Sequence, residues 1–135
     1  MKRDIKTHGQ HFLRGSSFIA ELVGHSNIRK NDTVLDIGAG SGAITAVLAR
    51  RCKRVVAYES EPLAAKKLSA NMQYHTNVEV VAKDFLQVDL PAEPYKVFSN
   101  IPFHLSSKIV RKLATAKTPP KSIYLIVQKQ FAKKC

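Results

Sequence analysis

The feature that most narrows what this chain can fold into is its repeated alternation between short β-rich runs and segments of helix length. Five runs read as strands: Thr33 to Ile37, Arg54 to Tyr58, Val78 to Ala82, Lys96 to Ser99 and Ser122 to Val127. Between them apolar residues fall at helical offsets, first Ile44, Val47 and Leu48, then Leu63, Ala64 and Leu68, then Leu105, Ile109, Val110 and Leu113. Strands separated by a helix need crossover connections, and crossovers of one hand favour parallel pairing with helices on both faces. The expected fold class is therefore α/β, a doubly wound, mostly parallel sheet. Ser16 or Ser17 can cap a helix before the first strand, with Phe18, Ile19, Leu22 and Val23 on its apolar side. Ser60 and Pro62 suit the cap and first turn of a later helix, and Pro119 and Pro120 close another.

A chain of 135 residues, 44% apolar and 24% charged, is long enough for one domain with a true core. No internal repeat or low-complexity stretch divides it. Residues 1–14 carry Lys2, Arg3, Lys6, His8, His11 and Arg14 without a hydrophobic period, so they read as a basic arm, with the domain proper over 15–135.

The first strand runs into Asp36-Ile37-Gly38-Ala39-Gly40-Ser41-Gly42, where the chain must turn sharply and begin a helix. Glycines there permit positive φ and let the backbone approach a ligand closely, at the end of the sheet where such folds bind nucleosides. Glu59, closing the second strand, can accept from both hydroxyls of a ribose, and Asp84, after the third, from an adenine amine. A dinucleotide site is the rival, since Gly38, Gly40 and Ala43 also satisfy G-x-G-x-x-A with an acid about twenty residues on. A tight packing turn without a ligand is the bland alternative. The acid before the glycines, and the further carboxylate of Asp84, match a methyltransferase arrangement better.

Asn100-Ile101-Pro102-Phe103, after the fourth strand, is the most specific feature in the chain. An exocyclic adenine amine is a poor nucleophile because its lone pair is delocalised into the ring, so a catalyst must orient that nitrogen and stabilise the charge growing on it. Asn100 offers a side-chain carbonyl, Ile101 a backbone one, Pro102 stiffens the turn, and Phe103 can stack on a base. A base swung out of its helix would be held by such stacking with about 1–3 kcal/mol. With a sulfonium methyl donor no general base or metal is required. In isolation the tetrapeptide could equally be a turn leading into a helix.

Lys plus Arg outnumber Asp plus Glu by 22 to 10, a formal charge of +12, which attracts polyanions or serves only solubility. Cys52 and Cys135 have no paired framework or metal-ligand spacing, and His8, His25, His75 and His104 show none either. No apolar run reaches the length of a signal core or membrane span, so the expected location is the cytoplasm, with no membrane partner and no metal.

Gly9 to Leu13, Asp36 to Gly42, Glu59, Asp84-Phe85, Asn100 to Phe103 and Gln128 to Lys133 occur in the order seen in the Erm ribosomal RNA adenine N6-methyltransferases and the KsgA-type dimethylases. The chain resembles that group over essentially its whole length, and Asn-Ile-Pro-Phe with the ending Gln-Lys-Gln-Phe-Ala-Lys-Lys looks more like Erm. The resemblance implies a Rossmann-like, class I S-adenosylmethionine-dependent methyltransferase fold. It also implies transfer to an adenine of large-subunit (23S) ribosomal RNA, giving macrolide, lincosamide and streptogramin B resistance. The expected partner is that RNA, before full ribosome assembly, met by a monomer.

Carried across by position, Gln10, His11, Phe12, Leu13, Asp36, Gly38, Ala39, Gly40 and Gly42 surround the methionine part of S-adenosylmethionine. Glu59 and Ser60 take the ribose, Asp84 and Phe85 the adenine, and Asn100 borders both cofactor and target. Asn100, Ile101, Pro102 and Phe103 form the catalytic set. Lys2, Arg3, Lys6, Arg14, Arg111, Lys112, Lys133 and Lys134 are candidates for RNA phosphates. Two departures stand out: His11 where the group more often has Asn, and a chain that stops soon after the fifth strand. The second reads as an incomplete sheet and an absent carboxyl-terminal helical RNA-binding domain. A KsgA-like small-subunit enzyme and an inactive basic RNA-binding fragment are the alternatives.

Overall fold

A computed structural model describes residues 15–128. The elements in chain order are α1 (Ser16–Gly24), β1 (Thr33–Ile37), α2 (Ala43–Ala49), β2 (Arg54–Tyr58), α3 (Pro62–Asn71) and β3 (Val78–Val81). A short 3-10 turn (Phe85–Gln87), β4 (Lys96–Pro102), α4 (Phe103–Ala114) and β5 (Ile123–Gln128) complete the set. The five strands form one sheet in the order β3-β2-β1-β4-β5, and every pairing is parallel. The doubly wound sheet anticipated from the alternation is what forms.

The three central strands β1, β2 and β4 are buried on both faces, so their apolar runs are nearly continuous, whereas the edge strands β3 and β5 are half-buried to exposed. Val34, Val55 and Phe98 pack with Ile19 and Val23 of α1 and with Ile44, Val47 and Leu48 of α2, while Ala57 meets Leu68 of α3 and Met72 just beyond it. Leu35, Ile37, Val56, Tyr58, Val97 and Ile101 face the other way, onto Phe85, Tyr95 and the α4 residues Ile109 and Leu113. Each such aliphatic side chain taken out of water contributes about 1.5–3 kcal/mol, so the two layers together fix the register.

Local start signals differ from the sequence reading in two places. Ser16 is already helical, and Gly15 caps α1 without a side-chain hydrogen bond. On α3 the cap is Glu61 instead of Ser60: its carboxylate accepts from Leu63 N and Ala64 N, with Pro62 in the first turn. A carboxylate at that position also meets the positive end of the helix dipole, an advantage a serine lacks. β4 continues three residues past Ser99, so Asn100 and Ile101 belong to the strand and Phe103 opens α4.

Candidate functional site

The strand order reverses direction between β1 and β4, and a parallel sheet opens a crevice at the carboxyl ends of its strands at such a point. Here the opening has a visible cause. β1 and β4 pair through only Val34 with Lys96 and Leu35 with Val97, then part. β4 and β5, by contrast, pair all the way from Val97 to Pro102. Where the β1–β4 ladder stops, the Ser99 hydroxyl takes over, accepting from Ile37 N at 2.7 Å inside the fully buried seam. An unpaired N–H there would cost about 1–3 kcal/mol, so this hydroxyl is what allows the two strands to separate.

The glycine loop spans the mouth of that gap. Gly38 N and Ala39 N each donate to Tyr58 O at 2.9 Å, tying the loop to β2. Gly38, Gly40 and Gly42 all have positive φ, at 70°, 59° and 104°. They are glycines for different reasons. A Cβ on Gly40 would meet nothing within 4 Å, which leaves its backbone open to a ligand. A Cβ on Gly42 would stand 2.9 Å from Met72 Cε and 3.0 Å from Leu68 Cδ1, so Gly42 lets α2 and α3 pack closely.

Asp36 also has a structural place. It is fully buried, and its Oδ2 accepts from Thr45 Oγ1 at 2.7 Å, bracing α2 against β1, while Oδ1 has no partner among the described residues. Burial pushes its pKa up to about 7, opposed by the Thr45 hydrogen bond and reinforced by the charge of Glu59.

Beside the loop lies a pocket of about 430 Å³, open to solvent, whose wall includes Gly38, Glu59, Ser60, Asp84, Phe85, Ile101 and Pro102. Glu59 is oriented by two backbone donors, Gly40 N at 2.8 Å on Oε1 and Glu61 N at 2.9 Å on Oε2. Each oxygen keeps a lone pair for a further donor such as a ribose hydroxyl. Asp84 spends Oδ1 on Leu86 N at 3.0 Å, capping the 3-10 turn, and its exposed carboxylate borders the pocket. The Phe85 ring is buried and packs edge-on to Tyr58, with centroids 5.0 Å apart and planes at 77°.

Lys112 was expected at RNA phosphates. Its ammonium instead lies 4.7 Å from the Phe85 ring centroid and donates to Phe85 O and Val88 O, so it stiffens the pocket floor from beneath. Desolvation lowers its pKa, against the pull of Asp89 and Asp84.

Of the tetrapeptide, Ile101 and Pro102 line the pocket, while Asn100 and Phe103 flank it without lining it. The Asn100 carbonyl oxygen lies 4.0 Å from where a Cβ on Gly38 would stand, which puts β4 and the glycine loop side by side. The half-buried Asn100 makes no side-chain hydrogen bond to a described residue. Ile101 is buried in the core, Pro102 ends the strand, and Phe103 is 57% exposed at the start of α4. An aromatic ring so exposed, one residue beyond a pocket wall, is free to meet a flat partner.

Not every candidate comes together. Ala39 lies in the loop but not in the pocket wall, and Arg111 is exposed on α4, away from that wall. Gln10 to Leu13, Lys2, Arg3, Lys6, Arg14, Lys133 and Lys134 lie outside the described residues. Sequence reasoning missed Ile37, Tyr58, Lys83, Leu86, Leu105 and Ile109, which complete the wall. The helical period of α4 marks Leu105 and Ile109 as inward-facing, yet nothing local tells core from pocket. Among the described residues no group of His, Cys, Asp and Glu is arranged to hold a metal, and no helix is long and apolar enough to cross a membrane.

Comparison with known proteins places this geometry. The family model described as ribosomal RNA adenine dimethylase matches residues 1–135. An rRNA adenine N-6-methyltransferase of Limosilactobacillus reuteri is 35% identical over 98% of this chain and 54% of its own length. A probable ribosomal RNA small subunit methyltransferase A of Methanosarcina mazei is 40% identical over 93% of this chain and 45% of its own. The crystal structure of the 23S rRNA methyltransferase ErmE superposes with a TM-score of 0.71 at 33% identity, covering 91% of this chain and 46% of that one. The chain thus spans about half the length of these relatives. With its entire length matched by the family model and its sheet shared with a solved relative, this chain belongs to the ribosomal RNA adenine dimethylase family.

Proposed function

We propose that this chain forms the S-adenosylmethionine-binding part of an enzyme that methylates the N6 amine of an adenine in ribosomal RNA. The observation that carries the reading is Asn100, an amide without a hydrogen-bond partner among the described residues, at the strand end beside Gly38 and three residues before the exposed Phe103. Bound in the pocket, S-adenosylmethionine would supply a methyl group on a sulfonium, already a good leaving group.

The chain's own residues supply position and electrostatics. Glu59 and Ser60 would fix the ribose, and Asp84 the adenine edge above the Phe85 shelf. Gly38 and Gly40 would let the backbone lie close to the methionine part, together with the amino-terminal Gln10 to Leu13. The Asn100 side-chain oxygen and the Ile101 carbonyl would accept from the target amine, turning its lone pair toward the methyl carbon as Phe103 stacks on the base. In such a transfer the N–C bond would form as the C–S bond breaks, and with both oxygens of the tetrapeptide accepting at the amine, its extra proton would pass to solvent.

The finer reading is a large-subunit target, with macrolide, lincosamide and streptogramin B resistance as its consequence, in a cytoplasmic monomer acting before ribosome assembly. It rests on the Asn-Ile-Pro-Phe form and the likeness to ErmE. The 40% identity to a small-subunit methyltransferase A favours a second reading, the small-subunit RNA. Transfer of radiolabelled methyl to separate 23S and 16S transcripts decides between them. Label on 23S RNA, lost in Asn100→Ala, is the expected result. Label on 16S alone selects the second reading, and label retained in Asn100→Ala refutes the role given to the tetrapeptide.

A further inference from the structure

Among the described residues three cations have fixed partners, and the exposed remainder includes a cluster of five besides Lys66, Lys67, Lys83, Lys108, Arg111, Lys117 and Lys121. Arg54 is held between Glu79 and Glu93, Lys96 by Asp32 and Asn27 O, and Lys112 by two carbonyls beneath Phe85. Arg29, Lys30, Arg50, Arg51 and Lys53 are exposed and form no ion pair with a described residue.

These five lie together at the end of the sheet opposite the crevice. Arg29 and Lys30 precede β1, and the other three join α2 to β2. The two segments are stitched to each other, since Asp32 N donates to Arg29 O while Lys53 N and Arg54 N both donate to Asp32 O. The Arg51 guanidinium sits against the end of α1, 3.8 Å from where a Cβ on Gly24 would be. The nearby carboxylate, Asp32, is already taken by Lys96. α1 and α2 both end on this surface and each favours one cation at its carbonyl end, which leaves most of the five without a structural reason to be there.

We infer that this patch is a second RNA-contact surface, holding phosphates of a ribosomal RNA element other than the one that delivers the target adenine. The inference rests on the proposed RNA-methylating function. A five-residue strand separates patch from crevice by roughly 16 Å, so a folded RNA reaches both by presenting neighbouring helices, not a single short loop. The surface offers charge without an apolar wedge, which fits phosphate and not a membrane.

The test compares two variants of equal charge. One is Arg50→Gln, Arg51→Gln, Lys53→Gln; the other is Lys66→Gln, Lys67→Gln, Lys117→Gln, removing three exposed cations from α3 and the segment after α4. Binding to a multi-helix ribosomal RNA transcript, to a single hairpin carrying the adenine, and to phosphatidylserine vesicles is measured across a salt series. On the transcript the first variant should lose about 3 from the magnitude of the log-log salt slope and the second under about 1. On the hairpin both should match the unaltered protein. Lys53→Gln alone, losing about 1 from the slope, repeats the result with one exposed side chain changed. Equal losses in the two triple variants, no loss in the first, an equal loss on the hairpin, or an effect on vesicles alone each overturns the inference. An unaltered protein that binds no RNA overturns the proposed function itself, which separates the two failures.

Discussion

Two aspartates four residues apart, one just before β1 and one within it, occupy opposite ends of the same strand and are treated in opposite ways. Asp32, at the strand's start, meets Lys96 Nζ at 2.8 Å and the Arg29 N–H at 2.6 Å. Burial pushes its carboxyl up, but the Lys96 and Arg29 hydrogen bonds, with the charges of Lys96 and Lys121, bring it below the ordinary carboxylate range. Asp36, near the strand's end, has one hydroxyl donor and an orphaned oxygen, and burial drives it to about 7. The starting edge of the sheet is a closed polar network, extended by Asn27 to Tyr124 and Ser122 and by Asn77 to Ala49 and Cys52. The finishing edge leaves polar groups unsatisfied and an aromatic ring exposed. Satisfied polar groups gather at one end and unsatisfied ones at the other.

The largest expected effect lies at the closed end. Lys96→Ala leaves the half-buried Asp32 without its counter-ion and should destabilise by about 3 kcal/mol in urea unfolding, the low end for a broken buried pair. A smaller loss, under about 1 kcal/mol, would mean that the network does not hold this edge. At the open end, Asn100→Ala should lower methyl transfer at least about 100-fold, near 2.7 kcal/mol, while changing stability by less than about 0.5 kcal/mol. Comparable damage to folding would erase the contrast between the two ends.

Ser99→Ala probes the boundary between them. Removing the hydroxyl strands Ile37 N and should cost about 1–3 kcal/mol, and cofactor affinity should fall with it because the crevice walls lose their spacer. The subtlest effect is in pH. Because the folded pKa of Asp36 is above its unfolded value, the native state holds that proton longer, so Asp36 makes stability fall as pH rises from about 4 to about 7 and adds no slope above that. The depressed Asp32 acts in reverse, contributing stability that is lost as pH falls through its folded pKa. Asp36→Asn should remove the decline between about 4 and 7 in thermal melts while keeping the acid-side loss. A wild-type curve that rises across that window would show that Asp36 does not titrate as described.

The open end was legible in the sequence because its devices are local. Glycines at a strand–helix junction, an acid closing β2 and a proline after an asparagine are patterns of adjacent residues, and they mark Gly38, Gly40, Glu59 and Asn100 without a fold. The closed end and the seam were not, because they are made by side chains far apart in the chain. Lys96 meets Asp32 across 64 residues and Ser99 meets Ile37 across 62, and neither pair leaves a spacing to read. The same reason hides the packing of Gly42 against Leu68 and Met72 and the place of Lys112 beneath Phe85. The cap at Glu61 was missed for a different reason: the local pattern favours Ser60 over a glutamate, and only the backbone path makes Glu61 the cap.

The account stands on the claim that the finishing edge of the sheet receives a nucleoside-bearing methyl donor through Glu59 and the glycine loop. Calorimetric titration of the chain with S-adenosylhomocysteine tests it directly, set beside Glu59→Ala and beside NAD. Saturable binding that weakens at least about tenfold in Glu59→Ala, with no heat from NAD, is the predicted result. Equal affinity in Glu59→Ala, or binding of NAD in place of the nucleoside thioether, would contradict it.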